Sequence, residues 1–302
     1  MEDREPSQEE EVKLGYYEED RHDRTTRFFG KEGFEKLQNS NILVVGAGAV
    51  GNEVIKNLVL LGVKEIRVVD FDVVTKSNAN RCVFFRESDH NKLSKVAAVQ
   101  KRANVLSNGN TKIIPYQCRI EEAPEETWEN LDILIVGVDN DYARMLINAK
   151  VLTFAMEGKL IPVINGAMAL TFVECEVLLP TITACLTCLW TEAYKEQIIN
   201  KQVRQTCDEF FIEVLPKFPA ISTFTSVVGG LMVSEAAKLL TLPDYDAIKK
   251  KIGVGYIIRQ DFESYEFSKG AVMRNTRCLE PFCRSTFEKD AYKQLWENTY
   301  KK

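Results

Sequence analysis

The stretch Val44–Asp72, "VVGAGAVGNEVIKNLVLLGVKEIRVVDFD", decides the fold of this 302-residue chain. Apolar residues run up to a turn carrying Gly46, Gly48 and Gly51. A helical pattern follows from about Asn52 to Leu61, and "EIRVVD" reads as a second buried strand ending in Asp70. Strand, glycine turn, helix and parallel strand make one βαβ crossover. At such a turn glycines let the backbone approach phosphate, and the helix N-terminus favours negative charge. An acid about 20 residues further on can hold ribose hydroxyls. The expectation is a nucleotide bound by Gly46, Gly48, Gly51 and Asp70. The motif alone does not choose between NAD, FAD and ATP.

Upstream, "RTTRFFGKEGFEKLQNS" has the apolar spacing of a short helix. Downstream, "LSKVAAVQKRANVLS" reads as helix, "TKIIPYQC" and "LDILIVGV" as strands, and "NDYARMLINAKVLTFAMEG" as helix. This alternation predicts an α/β fold with a Rossmann-like, doubly wound, mostly parallel sheet. From Ile161 the pattern changes. "IPVINGAMALTFVECEVLLP" reads as two strands in an antiparallel return, "TFTSVVGGLMVSEAAKLL" as a helix with small residues on one face, and "YIIRQDFESYEF" as a closing hairpin.

An apolar content of 45% supports a sizeable core. Acidic residues outnumber basic ones, 44 to 39, and no apolar run approaches the roughly 18 residues of a membrane span. Both observations argue against nucleic-acid and membrane partners. The acidic start, "MEDREPSQEEEVKLGYYEED", lacks the apolar core of a signal peptide, so the expected location is cytoplasmic and reducing. The eight cysteines are then thiols. Residues 1–18 are expected to be a disordered tail, being charged and nearly free of large aliphatic side chains, with one domain over 19–302.

Three further constellations carry chemistry. Arg81 in "SNANR", Lys95 in "LSKVAAV" and Asp139 in "VGVDNDYAR" suit phosphoryl chemistry: the cations bear on phosphate oxygens, and a carboxylate at a strand's end can hold magnesium. Each also reads singly as a surface charge, and Asp139 as a cap for a helix beginning at Asn140. Cys185 and Cys188 in "CLTC", with Cys278 and Cys283 in "CLEPFC", suit a closed tetrahedral zinc site that staples the C-terminal segment to the domain. Cys207, in the polar "VRQTCDEFF", is a candidate nucleophile: Lys201 and Arg204 favour its thiolate, and Asp208 and Glu209 oppose it.

Taken in order and spacing, "GAGAVGNEVIKNLVLLG", "VVDFDVVTKSNANR", "LSKVAAV" and "DNDYARMLIN", with both cysteine pairs, resemble the ubiquitin-activating type of enzyme in the ThiF/MoeB-like adenylating superfamily. The resemblance runs from Arg21 to Cys283. It implies an adenylation domain that uses ATP and magnesium on a ubiquitin-like protein ending in glycine. Asp70 then corresponds to the ribose ligand, Asn78 and Arg81 to phosphate contacts, Lys95 to the phosphate-binding lysine and Asp139 to the magnesium ligand. Asp72 and Asn140 stand in the same nucleotide-binding set. Arg24 resembles an arginine lent to a partner subunit's ATP, which implies a homodimer. Cys207, within a segment of about 190–221, resembles the thioester-forming cysteine that passes its cargo to a conjugating enzyme. The alternative within the family is a sulfur-carrier adenylyltransferase with no thioester step. Outside it stand a silent scaffold, disfavoured by Asp70, Arg81, Lys95 and Asp139 together, and an NAD-dependent oxidoreductase.

Overall fold

The computed structural model describes residues 20–286 except 170, 208–220, 243–244, 254 and 276. The expected acidic tail therefore lies outside the described residues. Helix α1 (Asp23–Asn39), broken at Gly30, leads into β1 (Asn41–Val45), α2 (Ala49–Leu61) and β2 (Glu65–Val69). Then come α3 (Lys95–Ser107), β3 (Lys112–Tyr116), β4 (Ile133–Val136), α4 (Asp141–Met156) and β5 (Val163–Ala169). The chain continues through β6 (Phe172–Leu178), α5 (Glu192–Cys207), α6 (Ser222–Leu240) and α7 (Tyr245–Ile252). It closes with β7 (Tyr256–Asp261), β8 (Phe267–Ala271) and α8 (Pro281–Ser285).

The eight strands form one sheet in the order β3-β2-β1-β4-β5-β6-β7-β8. The first five run parallel, and β6, β7 and β8 pair antiparallel. This is the doubly wound, Rossmann-like arrangement with antiparallel C-terminal strands that the alternation predicts. Both halves of "IPVINGAMALTFVECEVLLP" pair with each other, Gly166 opposite Cys175.

Strand side chains alternate between two cores. Ile42, Val44, Ile66, Val68, Ile133 and Ile135 pack with α2, α3 and α6. Leu43, Val45, Leu134 and Val136 face the other way, onto Ile147, Val151 and Leu152 of α4 and the four paired cysteines. Because both faces are covered, the parallel strands read as continuous apolar runs.

Two differences from the sequence reading have simple causes. Helix α2 starts at Ala49, three residues before Asn52, because its first turn is built from the glycine motif. Helix α5 fills the polar stretch before Cys207; its sequence, "EAYKEQIINKQVRQTC", has no clear apolar stripe to announce it. Among the described residues no helix is long and apolar enough to cross a membrane.

Helix α6 reaches α2 through a glycine. A Cβ on Gly229 would lie 2.6 Å from Glu53 Cβ, whereas one on Gly230 would meet nothing within 4 Å. Alanine is the better helix former by about 1 kcal/mol, and overpacking costs about 1–3 kcal/mol. Gly230→Ala is therefore expected to raise the urea midpoint and Gly229→Ala to lower it. A rise for both would show that the helices do not meet at this glycine.

Candidate nucleotide site and four-cysteine cluster

In this strand order the chain runs from β1 outward through β2 to β3 on one side and then crosses back to β4 on the other side of β1, so a crevice opens above the ends of β1 and β4. The glycine turn lies there. Gly46 donates to Val69 O at 2.9 Å, and Gly137, just past β4, donates to Val45 O at 2.9 Å. Gly46 has φ 98°, and a Cβ on it would sit 2.7 Å from Gly137 O. A Cβ on Gly51 would sit 1.9 Å from Gly46 O. These two glycines are required by the chain's own approach to itself. Gly48 differs: nothing lies within 4 Å of the Cβ it lacks. The space above the turn is open at the N-terminus of α2, where an anion is favoured.

Asp70, at the end of β2, reaches back under this turn. Its Oδ2 accepts from Ala47 N at 2.7 Å and its Oδ1 from Asp72 N at 2.9 Å. Lys95, the first residue of α3, points into the same place, 2.6 Å from Asp72 Oδ2 and 3.9 Å from Asp70 Oδ2. Burial pushes the Asp70 carboxyl above its usual range, against the pull of Lys95 and the two amides. Burial also disfavours the Lys95 ammonium, but Asp70, Asp72 and Asp139 outweigh it and hold the ammonium above its ordinary value. Asp70, Asp72, Lys95 and Asp139 are thus brought together from three separate segments.

Asp139 is exposed, and the cap of α4 is Asn140, whose Oδ1 accepts from Ala143 N at 2.7 Å. Asp139 is therefore released from the capping role its sequence position allows. Asn78 Oδ1 accepts from Thr75 N at 3.0 Å, which closes the turn carrying Arg81. Arg81 donates to Ser77 O and to Asn80 Oδ1. Cys82 beside it is buried, and burial pushes its thiol up to about 11 despite Arg81 and Lys95 nearby. Arg24 stands apart: its side chain is 90% exposed and lies 3.8 Å from Asp23. Among the described residues no hydrogen bond or ion pair joins it to the acidic and basic groups above Gly48.

Two residues that the motif reading did not single out hold this site together. Asn52 is fully buried in α2. Its Nδ2 donates to Ala47 O at 2.8 Å and Gly48 O at 3.0 Å, and its Oδ1 accepts from Phe84 N at 2.9 Å. It fastens the glycine turn to the segment after Arg81. Arg144 of α4 donates to Val138 O and Asp141 Oδ1, both at 2.8 Å, and to Asn165 Oδ1 at 3.2 Å. It fixes the turn bearing Asp139. A polar residue inside an apolar helical stretch was the available signal for Asn52.

The cysteine pairs meet. The sulfurs of Cys185, Cys188, Cys278 and Cys283 all lie within 4.8 Å of one another, and all four residues are buried. Cys185 Sγ and Cys278 Sγ are 3.8 Å apart. Four sulfurs at 2.3 Å from a central ion have edges of about 3.8 Å, so this cluster fits a metal. Hydrogen bonds from the neighbouring thiols, joined by one from Asn275 N at 3.2 Å, pull the Cys188 thiol down. Asn148 Nδ2 lies 3.7 Å from Cys185 Sγ, the kind of outer partner that orients a ligand. Cys207 ends α5, and its side chain lies outside the described residues.

The ThiF family model matches residues 21–276. The chain belongs to the ThiF family. A NEDD8-activating enzyme E1 catalytic subunit of Caenorhabditis elegans is 38% identical over 168 residues, covering 53% of this chain and 38% of that protein. A ubiquitin-activating enzyme E1-like protein of Saccharomyces cerevisiae is 31% identical over 169 residues, covering 55% of this chain and 25% of the relative. The alignments thus span well under half of these ThiF relatives' lengths. Among solved structures, Escherichia coli MccB superimposes with a TM-score of 0.66 at 18% identity, covering 88% of this chain and 75% of the other. The same protein with ATP gives 0.65 at 19% identity, with 87% and 74% covered. The likeness to MccB is one of fold.

Asn52→Ala would strip Phe84 N–H of its acceptor and two turn carbonyls of their donor. It is expected to cost about 2–3 kcal/mol in urea unfolding. A loss near zero would mean that water replaces the side chain and that Asn52 does not brace the turn.

Proposed function

We propose that this ThiF-family chain is an ATP-dependent activating enzyme for a ubiquitin-like protein. The observation that carries the reading is Lys95 standing among Asp70, Asp72 and Asp139 beside the open space above Gly48, at the switch point of the sheet. The names of the NEDD8- and ubiquitin-activating relatives support the substrate class, and the ATP complex of MccB supports the nucleotide.

In this reading Asp70 accepts hydrogen bonds from the ribose, and the turn at Gly46–Gly48 lies along the phosphates. Asn78, Arg81 and Lys95 neutralise phosphate oxygens. Asp72 holds Lys95, and Asn140 shapes the turn beside Asp139. Asp139 would hold magnesium, which supplies charge neutralisation at the phosphates. Asp139's exposure at a strand end fits that role. The substrate's C-terminal carboxylate oxygen bonds to the α-phosphorus, the bond from that phosphorus to the bridging oxygen breaks, and pyrophosphate departs. An anion attacks an anion here, so cations fixed beforehand lower the barrier most effectively.

The thiolate of Cys207 then attacks the acyl-adenylate carbonyl: a carbon–sulfur bond forms, the bond to AMP oxygen breaks, and AMP leaves. The thioester is passed to a conjugating enzyme. Arg24 serves the nucleotide of a second copy, making the homodimer the working form. The four-cysteine cluster would hold structural zinc, which supplies a fixed cross-link between "CLTC" and the C-terminal segment. Four sulfur ligands leave no open position for catalysis.

The test mixes the protein, ATP, magnesium and ubiquitin-like proteins ending in glycine, and follows both pyrophosphate exchange into ATP and a reductant-sensitive adduct. Cys207→Ala is expected to keep exchange and lose the adduct. Lys95→Ala is expected to lower exchange by about 10²–10³-fold. Exchange without any adduct would place the chain with the adenylyltransferases of sulfur carriers instead. No exchange with any such protein would contradict adenylation itself.

Metal analysis of the purified protein is expected to find zinc at about one ion per chain. Cys283→Ser should reduce that content and lower the thermal midpoint. A metal-free wild-type protein of unchanged stability would contradict the zinc assignment.

A further inference from the structure

Helix α5 is tied down in two directions at its first turn. The Tyr194 hydroxyl donates to Asp141 Oδ2 at the start of α4. The next residue, Lys195, pairs with Glu280, which lies between Cys278 and Cys283. Glu280 also accepts from the Thr187 hydroxyl at 3.2 Å, between Cys185 and Cys188. Trp190 meets the Tyr194 ring edge-on at 5.3 Å between centroids. The helix whose last residue is Cys207 is therefore anchored both to the cysteine cluster and to the edge of the nucleotide site.

Asp141 passes the Tyr194 contact onward. Its Oδ1 accepts from Arg144 Nη1 at 2.8 Å, and Arg144 Nη2 donates to Val138 O at 2.8 Å. On the other side of the same turn, Asn140 caps α4. The three residues Val138–Asn140 are held at both ends, with Asp139 between. A phenol donating to a carboxylate makes a stronger bond than a neutral pair does. The Asp141 carboxylate, aided by partial burial, pushes the Tyr194 phenol up to about 12, so the hydroxyl stays protonated and donates throughout the working pH range.

We propose that Tyr194 is a positioning residue for the adenylation step: through Asp141 and Arg144 it aims the turn presenting Asp139, and so couples the Cys207 helix to the nucleotide site. This rests on Asp139 serving the metal that accompanies ATP. Coupling of this kind is reciprocal. If a docked α5 steadies the turn, then filling the site must steady α5.

The test is Tyr194→Phe, which removes one oxygen and keeps the ring against Trp190. Hydrogen exchange is followed over residues 137–145 and 192–201 with and without magnesium and ATP, beside the magnesium dependence of pyrophosphate exchange. In the wild type both segments are expected to slow on loading. In Tyr194→Phe the 137–145 segment still slows and the helix does not. The magnesium concentration for half-maximal exchange rises roughly threefold to tenfold, the loss expected for one ordinary, partly solvent-exposed hydrogen bond, while the rate at saturating magnesium changes little. Asp141→Asn cuts the same chain from the other end and should give the same pair of effects. With Tyr194→Phe added to it, the two losses should not add. If the helix still slows in Tyr194→Phe and the magnesium curve is unmoved, Tyr194 only packs and the proposal falls. If loading slows neither segment in the wild type, the nucleotide reading fails first and takes this coupling with it.

Discussion

The structure depends on one close approach, that of Gly46 to Gly137. A backbone carbonyl stands 2.7 Å from where a Cβ on Gly46 would be, so the ends of β1 and β4 come together only because a side chain is missing there. That approach brings the glycine turn on β1 and the Val138–Asn140 turn on β4 to the same end of the sheet. From β2 and α3 come Asp70 and Lys95, set by the parallel register in which Val45 stands opposite both Val69 and Val136. The site is a consequence of strand order, and its side chains occupy positions the sheet leaves over.

Electrostatics at this point add little to the stability of the fold. Asp70 and Lys95 are only 10% and 13% exposed, and burial alone disfavours the charged form of each. A buried ion pair gives weak net stability. In the proposed reading, a pair already fixed beside the phosphates would cost no reorganisation when negative charge develops there. Arg144 and Asn52 supply the rigidity that this requires, by binding backbone carbonyls in the two turns.

Much of this was legible in the sequence because it rests on periodicity and on short-range spacing. The βαβ unit, the antiparallel return at Ile161 and the convergence of "CLTC" with "CLEPFC" all leave such marks. Helix α5 left little, since a polar helix held by Tyr194 and Lys195 has no apolar stripe to display. Arg144 sat inside a quoted motif, yet its role depends on carbonyls at Val138 and Gly166 that only the folded chain brings near. Asp139 shows the limit from the other side: its position suited a helix cap, and the cap is its neighbour Asn140. Such contacts join residues far apart in sequence or choose between adjacent ones, and neither leaves a periodic mark.

The central claim is that the space above Gly48 holds the phosphates of ATP. Calorimetric titration with ATP and magnesium, and separately with NAD, tests it on the wild type and on Gly48→Val. The Cβ at this position meets nothing within 4 Å, so the variant should keep the fold and its thermal midpoint. ATP is expected to bind the wild type, NAD is expected not to, and Gly48→Val is expected to abolish ATP binding. Undiminished ATP binding by a folded Gly48→Val protein, or tight binding of NAD in place of ATP, would contradict it.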